Sequence, residues 1–279
     1  MRWLLGGVMA LLLLRSGTAM EAVRDSCRLF VTSVLPGLLP YMTLSAMLVS
    51  RCGQGAPVWL LTLTAWGGGS PTGARLLSLV PGMSYRQRMC LAVSGATMSP
   101  MFLAGTCGAW LGTPAAGWVL LGSAVGGGAV AGALAGACTR GQPPCEAAPV
   151  QPAPLTFGAA VEQAARTLLL VCGTMAVLRV FAELAAEAVG GPLSLPLTTV
   201  MEVTAGVRRI AELPLPLAWR TALVAGATGF GGLAGVMQNR TLYPPGFLSL
   251  GRQLLWQAVH AAVSFLLALG GMLLWEGVS

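Results

Sequence analysis

Long stretches without a charged residue dominate the chain and predict helices of membrane-spanning length. A spanning α-helix needs roughly 17–25 mostly apolar residues, and each stretch meets that requirement. The stretches cover residues 29–50, 52–74, 89–139, 221–239 and 253–275. The longest has room for two helices. The pattern therefore predicts an all-α, polytopic helical membrane protein.

A cluster of glycines interrupts the second of these stretches. Residues 67–73 read Gly-Gly-Gly-Ser-Pro-Thr-Gly, and glycine and proline both disfavour helical backbone. In a bilayer, irregular backbone is tolerated only where it is buried in protein or lines a polar cavity. The pieces on either side, within 57–80, have about ten residues each, too few to cross the bilayer at 1.5 Å per residue. We predict a re-entrant helical hairpin here.

Short motifs recur in the same order in the second part of the chain. Thr-Gly-Ala-Arg at 72–75 has a counterpart 133 residues later in Ala-Gly-Val-Arg at 205–208. Ser-Gly-Ala-Thr at 94–97 has one 131 residues later in Ala-Gly-Ala-Thr at 225–228. The recurrence predicts two repeat halves with broken helices. The predicted regions are an N-terminal membrane segment (1–20), a first half (21–138), a Pro-rich linker (139–156) and a second half (157–279).

Each half is expected to begin with an amphipathic stretch at the membrane interface. These stretches are 21–28, before a helix over 30–50, and 157–166, before a helix over 167–189. A loop is expected over 81–89, because Arg86 and Arg88 interrupt the apolar pattern. For residues 1–20, a first membrane segment is favoured over a cleaved signal peptide, because the cleavage pattern is poor.

Composition supports the membrane class and argues against nucleic-acid binding. The chain is 55% hydrophobic and 9% charged, with a mean hydropathy of +0.76; soluble domains average about 25% charged residues. All 16 basic residues are arginines, and they are scattered along the chain, as is typical of membrane-flanking positions. A nucleic-acid surface would need a basic patch. The expected partner is a lipid bilayer, not nucleic acid, and a homo-oligomer is left open.

No residue pattern typical of an enzyme is visible. The seven cysteines form no Cys-x-x-Cys pair, and the one histidine, His260, is far along the chain from them. Neither a nucleophile–base pair nor a nucleotide-binding loop is recognisable. We therefore predict no catalytic residue, metal or cofactor, and interpret His260 as a packing residue in preference to a proton relay.

The first break contains groups that could bind a solute. Ser70 and Thr72 can donate hydrogen bonds, and Gly73 is expected to bind solute beside them. The alternative for the glycines is that they permit close packing of helices. Helix N-termini favour anionic groups. Arg75 follows within one turn and could hold a carboxylate with two hydrogen bonds. The alternative is that Arg75 extends to the interface as an anchor.

The second break places a carboxylate beside a hydroxyl and a glycine, in Glu202, Thr204 and Gly206. An ionisable residue at membrane depth indicates function, because burying its charge is costly without a partner or water. We predict that Glu202 couples a cation or proton, and that Thr204 and Gly206 bind solute. The alternative is a helix-end carboxylate at the interface.

Two further breaks complete the predicted site. Proline removes a backbone hydrogen bond, so Pro100 should interrupt its helix beside Ser99. Gly-Phe-Gly-Gly at 229–232 should loosen another helix. We expect Ser99, Gly231 and Gln238 to bind solute, with the four breaks facing a central site.

Five motifs follow one another in an order that resembles a known family. They are Leu-Pro-Gly-Leu-Leu-Pro-Tyr at 35–41, Ser-Pro-Thr-Gly-Ala-Arg at 70–75, Ser-Pro-Met-Phe at 99–102, Glu-Val-Thr-Ala-Gly at 202–206, and Gly-Phe-Gly-Gly-Leu at 229–233 with Gln238. Together they resemble the YlbJ-like family of sporulation integral membrane proteins, in the nucleoside-recognition or Gate domain group. The chain departs from the family pattern at Arg75, where the family has Lys, and at Ala234, where it has Ser.

The resemblance implies a fold related to the concentrative nucleoside transporters. It also implies a multi-pass protein of the bacterial cell membrane, with a role in spore formation and dipicolinate movement across a forespore membrane. We expect a transporter-like protein that moves a small solute, preferably anionic. The alternatives are a non-transporting scaffold for spore maturation and a nucleoside-type carrier.

Overall fold

A computed structural model describes residues 2–52, 57–80, 83–139 and 154–278, and every element within these ranges is helical. The α-helices are α1 (Arg2–Leu14), α2 (Ser16–Leu29), α3 (Leu35–Cys52), α4 (Val58–Gly68), α5 (Ser70–Leu79), α6 (Tyr85–Ser94), α7 (Gly108–Leu111), α8 (Pro114–Cys138), α9 (Phe157–Val189), α10 (Ser194–Met201), α11 (Val203–Ala211), α12 (Leu217–Phe230), α13 (Gly232–Leu242) and α14 (Leu250–Val278). Two π-helical turns, Phe30–Val34 and Met101–Cys107, precede α3 and α7. The predicted all-α class is confirmed at this level.

Four helices are long and apolar enough to cross a membrane. They are the continuous helix Ser16–Cys52, then Pro114–Cys138, Phe157–Val189 and Leu250–Gly277. Half or less of the most apolar part of each is buried inside the protein. Large apolar side chains such as Leu169 and Leu274 are more than 70% exposed. Extensive exposed apolar surface of this kind marks contact with a membrane or a partner.

From α2 onward, the order of helices before the linker region is the same as the order after it. Each part has one long helix, a pair of short helices joined at a break, a second interrupted helix, and another long helix. The four long helices are those that could cross a membrane. The short and interrupted helices lie between them in sequence.

The chain turns back on itself at Gly69, between α4 and α5. Gly69 has a φ of 75°, in the left-handed region that favours glycine. A Cβ built on Gly95 would lie 3.0 Å from Ala65 Cβ and 3.3 Å from Gly73 Cα. In a straight helix Ala65 and Gly73 would be about 12 Å apart. The two short helices therefore form a hairpin with its tip at Gly69.

A second hairpin has its tip at Glu202, between α10 and α11. A Cβ built on Gly206 would lie 2.5 Å from the Cα of Thr199. In a straight helix these two residues would be about 10 Å apart. Glu202 itself has extended backbone and interrupts the helix for a single residue. The arms of this hairpin can close because position 206 has no side chain.

The predicted interfacial stretches are not separate elements. Residues 21–28 lie inside Ser16–Cys52, and residues 157–166 form the first turns of α9. The π-helical turn Phe30–Val34 joins α2 to α3 in one continuous helix. The Thr156 side chain caps the start of α9. Ala22 packs with Val180 and Leu184. The first stretch packs on the later turns of α9, and Ala164 of the second packs with Phe30 and Leu38. Both stretches therefore continue into long helices, and their position at the membrane interface stays a prediction.

The loop expected over 81–89 is shorter, because α6 already begins at Tyr85. Ser84 caps this helix, and the Gln87 side chain accepts a hydrogen bond from the Ser84 backbone amide. Ser and Gln three residues apart are a sequence signature of a helix start. The loop was predicted instead because Arg86 and Arg88 interrupt the apolar pattern. Of the predicted linker 139–156, residues 140–153 lie outside the described residues.

The first long helix, Ser16–Cys52, runs antiparallel to α9, which defines two ends of the molecule. At the first end, Arg15 Nη1 lies 3.6 Å from Glu187 Oε2. At the second end, the Leu155 amide donates a hydrogen bond of 3.1 Å to Ser50 Oγ. Phe247 and Leu248 pack in one cluster with Val49. The 243–249 loop therefore lies toward the second end.

Candidate functional site

A cavity of about 60 Å³ lies where the four interruptions of the helices meet, and we call it the inner cavity. Its lining residues are Val34, Leu38, Ser70, Pro71, Met98, Ser99, Phe102, Val171, Met175, Glu202, Val203, Thr204, Gly231, Ala234, Gly235 and Gln238. Both hairpin tips contribute, as do the non-helical residues before Pro100 and the turn at Gly231. Parts of the chain that are far apart in sequence therefore share one small, buried space.

The structure brings six of the ten predicted site residues into this lining. They are Ser70, Ser99, Glu202, Thr204, Gly231 and Gln238. Apart from Gly231 they offer hydroxyl, amide or carboxylate groups, and Glu202 carries the one charged side chain of the lining in the described part of the chain. The inner cavity can therefore offer a solute several hydrogen bonds and one ionisable group.

The other four predicted residues, Thr72, Gly73, Arg75 and Gly206, do not line the inner cavity. Thr72 Oγ1 donates a 3.2 Å hydrogen bond to the Gly68 carbonyl within its own hairpin. A Cβ on Gly73 would lie 2.8 Å from the Gly95 carbonyl oxygen, so this glycine permits close packing. Gly206 permits the second hairpin to close, as described above. The roles visible for these three residues are in packing.

Arg75 joins α5 to α9. Its Nη1 donates hydrogen bonds of 3.0 Å to the Gln163 carbonyl and 2.8 Å to Thr167 Oγ1. The side chain is half-buried. The guanidinium is therefore bonded to α9 and is not among the groups that line the inner cavity.

Two hydrogen bonds hold α13 in place beside the inner cavity. One joins α13 to the first hairpin, and the other joins it to α9. Ser70 Oγ donates to Asn239 Oδ1, and Gln238 Nε2 donates a 2.8 Å bond to Thr174 Oγ1. Asn239 is buried, as are Ser70 and Gln238. Because both acceptors lie outside the lining, these bonds position the cavity wall.

Glu202 is the most highly connected group of the site. Its Oε1 accepts a 2.9 Å hydrogen bond from the Thr204 amide, and its Oε2 accepts one of 2.9 Å from the Ala205 amide. Arg179 Nη1 lies 4.0 Å from Oε2. The side chain is 2% exposed. The carboxylate thus caps the N-terminus of α11, where the helix dipole favours negative charge.

A larger cavity of about 420 Å³ lies among α2, α9 and α11, and we call it the vestibule. Its lining residues are Asp25, Ser26, Arg28, Leu29, Thr32, Arg179, Glu202, Ala205, Arg208, Arg209 and Glu212. Four are arginines and three are carboxylates. Within the described residues, Glu202 is the one residue that lines both cavities. A single carboxylate therefore stands between a wide charged space and a small, mainly apolar one.

Sequence reasoning missed the vestibule and its arginines. Arg179 lies within the predicted helix over 167–189, where it pairs with Glu183 at 3.0 Å. An ionisable residue inside a predicted span is itself a signal of function. Arg28 and Arg209 were interpreted only as residues at segment ends. Within the described residues neither forms an ion pair within 4.0 Å.

Comparison with protein families, with curated proteins and with solved structures gave no match.

Proposed function

We propose that the protein is a membrane carrier for a small solute, which binds in the inner cavity and enters or leaves through the vestibule. The observation that carries this proposal is the shared position of Glu202, which lines both cavities. A carboxylate in the wall between the two cavities can respond to a solute on one side and to water or ions on the other. This arrangement supports the coupling role expected for Glu202.

The order of helices supports two repeat halves in this proposal. Each half would contribute two spanning helices, one hairpin and one interrupted helix. The hairpin helices have between eight and eleven residues and are too short to cross a bilayer alone. They would be re-entrant, because broken backbone in the hydrocarbon region has to be enclosed by protein or line a cavity.

The size of the inner cavity implies movement during transport. A volume of 60 Å³ holds roughly four water molecules and no ring-shaped solute. To bind a solute, the two hairpin tips at Gly69 and Glu202 would have to separate. The described arrangement is therefore the closed state of the proposed carrier.

An anionic solute is the preferred substrate class. Arg28 and Arg209 line the vestibule and have no ion-pair partner among the described residues, although Arg209 Nη1 donates a 3.3 Å hydrogen bond to Thr198 Oγ1. Guanidinium groups of this kind attract carboxylates and can bind them with paired hydrogen bonds. The family resemblance suggests dipicolinate, a planar ring with two carboxylates. On this proposal the protein lies in a bacterial cell membrane, such as that of a forespore.

A neutral, nucleoside-type solute is the second candidate, and one observation favours it. Within the described lining, the inner cavity has hydroxyl and amide groups but no positively charged side chain. Arg75, which the anionic interpretation needs, is bonded to α9. A neutral polar ring would be better suited to such a lining than two carboxylates beside Glu202.

A non-transporting scaffold is the alternative from another class. A scaffold needs docking surfaces but has no need of four helix breaks around one cavity. Broken backbone at membrane depth has to be buried in protein or to line a cavity, and because all four breaks meet at the inner cavity, the geometry favours a carrier.

Uptake into proteoliposomes tests the proposal. Purified protein would be reconstituted in vesicles and given labelled dipicolinate or a labelled nucleoside, with Glu202→Gln as the test variant. Glu162→Gln is the matched control, because Glu162 is an exposed α9 carboxylate that pairs with Arg166 and lines neither cavity. We expect uptake of one solute class by the wild type and the control, and a loss of about tenfold or more in Glu202→Gln, equivalent to about 1.4 kcal/mol.

Uptake of the dicarboxylate alone would support the anionic candidate, and uptake of the nucleoside alone would support the neutral one. Equal uptake by Glu202→Gln and the control, at equal protein content, would overturn the coupling role. No uptake of either solute by well-folded protein would favour the scaffold.

A further inference from the structure

An apolar groove of about 370 Å³ lies between the second hairpin and α12, and we call it the lateral groove. Leu195 and Val200 line it from α10, Leu223 and Phe230 line it from α12, and Phe265 lines it from α14. It shares no lining residue with the inner cavity or the vestibule. The lateral groove is therefore a separate space, which the proposed carrier site does not use.

The side chains of the lateral groove offer nothing to water. Thr199 is the one polar residue of the described lining, and its Oγ1 already donates a 2.8 Å hydrogen bond to the Leu195 carbonyl. Cavities lined by apolar groups stay dry and bind apolar molecules. An unfilled space of this size would also cost the surrounding side chains their dispersion contacts. The occupant that suits the lateral groove is therefore apolar.

The lateral groove is open to the outside of the helical bundle. Val200 in its wall is 44% exposed. Trp219, one turn before Leu223 on α12, is 48% exposed, and its ring lies 6.3 Å from the ring of Phe265. Exposed apolar surface marks contact with a membrane or a partner, and tryptophan is enriched where the membrane meets water. A lipid of the surrounding bilayer can therefore reach the groove from the side.

An arginine lies at the same end of the lateral groove as Trp219. Arg220 comes three residues before Leu223 and seven before Ala227, so it lies on the same face of α12 as these lining residues. Its Nη1 donates a 2.7 Å hydrogen bond to the carbonyl of Ala211, which directly follows the lining residue Ile210. The bond holds the guanidinium beside the point where the second hairpin and α12 meet.

The Arg220 guanidinium has no protein counter-ion among the described residues. No carboxylate there lies within 4.0 Å of it, and Glu212, the acidic residue nearest in sequence, lies 3.7 Å from Arg208 instead. The Ala211 carbonyl, at the C-terminus of α11, supplies only the partial negative charge of a helix end. A half-buried cation beside apolar surface therefore attracts an anion.

The lateral groove has the depth of one leaflet of a bilayer. From Arg220 to Phe230, α12 rises roughly 15 Å, and half of the hydrocarbon core is also about 15 Å thick. The second hairpin follows α9, which ends at the first end of the molecule, so Ala211 and the bonded Arg220 lie toward the first end. Phe230 directly precedes Gly231 of the inner cavity. An acyl chain below an anionic headgroup at Arg220 matches this arrangement.

We propose that the lateral groove binds an acyl chain of an anionic phospholipid from the surrounding bilayer, with the lipid phosphate at Arg220. The chain fills the space between α10 and α12, and the phosphate supplies the counter-ion. Ile210 lines the lateral groove, whereas Ala205 and Arg209 of the same helix line the vestibule. The lipid therefore supports the second hairpin on another face than the one toward the vestibule. The proposal does not rest on whether a solute is carried.

Photo-crosslinking in nanodiscs tests where the lipid binds. The protein would be placed in phosphatidylcholine with a trace of phosphatidylglycerol that carries a diazirine in one acyl chain, and mass spectrometry would identify the labelled peptides. We expect label around Val200 and Leu223 in excess over Leu169, which is more exposed but lines neither cavity nor the lateral groove. Label in proportion to exposure would show bulk lipid contact only and would overturn the proposal.

Arg220→Gln tests the headgroup. Arg240→Gln is the matched control, because Arg240 Nη1 also donates to a carbonyl, that of Leu248 at the second end. We expect groove labelling by phosphatidylglycerol to fall about fivefold in Arg220→Gln, as loss of one arginine contact predicts, and to stay unchanged in Arg240→Gln. Equal groove labelling of the wild type by phosphatidylcholine with the same diazirine chain would overturn the phosphate contact.

Gly226→Leu tests the acyl chain. A Cβ on Gly226, a lining residue, would lie 3.5 Å from Phe265 Cβ, an ordinary contact, so the new side chain can enter the groove. Gly173→Leu is the control, because a Cβ at this exposed α9 position meets nothing within 4 Å. Saturating phosphatidylglycerol should raise the Tm of the wild type and of Gly173→Leu by about 2–4 °C, but not that of Gly226→Leu.

An equal rise of the Tm in Gly226→Leu would contradict a lipid in the lateral groove. Ala227→Leu enlarges a neighbouring lining residue and replaces Gly226→Leu in this measurement if the latter does not fold. The crosslinking experiment uses the wild type, so its outcome is independent of both variants.

Discussion

The hydroxyl of Ser70 donates a 2.8 Å hydrogen bond to Oδ1 of Asn239, across 169 residues of sequence. Ser70 begins α5 at the tip of the first hairpin, and Asn239 lies on α13. Both side chains are buried, at 7% and 1% exposed. This bond ties the first hairpin to α13 directly beside the inner cavity, so movement of that hairpin away from α13 must break it.

Ser70→Ala should therefore destabilise the closed arrangement. The change leaves Asn239 Oδ1 buried without its donor, at a cost of about 1–3 kcal/mol. Ser45→Ala is the control, because this buried hydroxyl donates only to the Met42 carbonyl in its own helix. Chemical unfolding in detergent would measure both variants. Equal stability of Ser70→Ala and Ser45→Ala would show that the bond does not hold the hairpin.

Gly206→Ala should prevent the second hairpin from closing. The added methyl would lie 2.5 Å from the Thr199 Cα, and overpacking of this kind costs about 1–3 kcal/mol or more. Because backbone is involved, Thr199→Ala should not rescue it. Gly173→Ala is the control on α9, where a Cβ meets nothing within 4 Å, and it should stabilise by up to about 1 kcal/mol.

Unfolding of the two glycine variants in the same detergent decides this prediction. If Gly206→Ala is as stable as Gly173→Ala, the close contact between α10 and α11 is not required. Rescue by Thr199→Ala would also contradict the backbone contact.

A double-mutant cycle of Arg179→Gln and Glu202→Gln should show coupling of about 1 kcal/mol or more. Arg179 is 16% exposed and Glu202 is 2% exposed, so their charges are poorly screened even at 4.0 Å. The control cycle uses the exposed pair Arg166 and Glu162, for which about 0.3–0.5 kcal/mol is expected. Coupling no greater than in the control would mean that Glu202 depends on its backbone amides alone.

Arg75→Ala should reduce stability more than solute affinity. The change removes the two hydrogen bonds to α9, each worth about 0.5–1.5 kcal/mol. Arg75→Lys can restore one of them and should be intermediate. Binding of a labelled dicarboxylate to both variants, at equal folded protein, separates this role from a carboxylate clamp. A loss of affinity of about tenfold or more in Arg75→Ala would restore the clamp.

The positions of the helix breaks could be predicted to within a few residues, because glycine and proline act locally. The first hairpin tip lies within the glycine run at 67–69, and the non-helical residues 95–99 lie directly before Pro100. Gly231 has a φ of 77° and ends α12. At these three positions the backbone preference of the residue itself decides the local structure.

The groups that share a cavity could not be predicted from local sequence, because packing between distant helices decides them. Arg75 follows the first hairpin tip in sequence, and Glu202 forms the second tip, so both were expected at one site. The Arg75 guanidinium instead donates a hydrogen bond to the Gln163 carbonyl of α9. Arg179 reaches the second hairpin only because α10 packs on α9. The continuity of α2 with α3 was missed, because the polar residues of 21–28 were expected to form a separate stretch before the helix over 30–50.

The two π-helical turns have a consequence for the shape of the inner cavity. Val34 ends one turn and Phe102 lies in the other; both line the inner cavity, and the two turns contact each other. A π turn contains one residue more than an α turn, and π turns within α-helices are often found at functional sites. If the extra residue of a π turn became part of the neighbouring α-helix, the side chains that follow it would rotate by about 100° about the helix axis. The cavity could then exchange the side chains in its wall while the ends of the long helices stay in place.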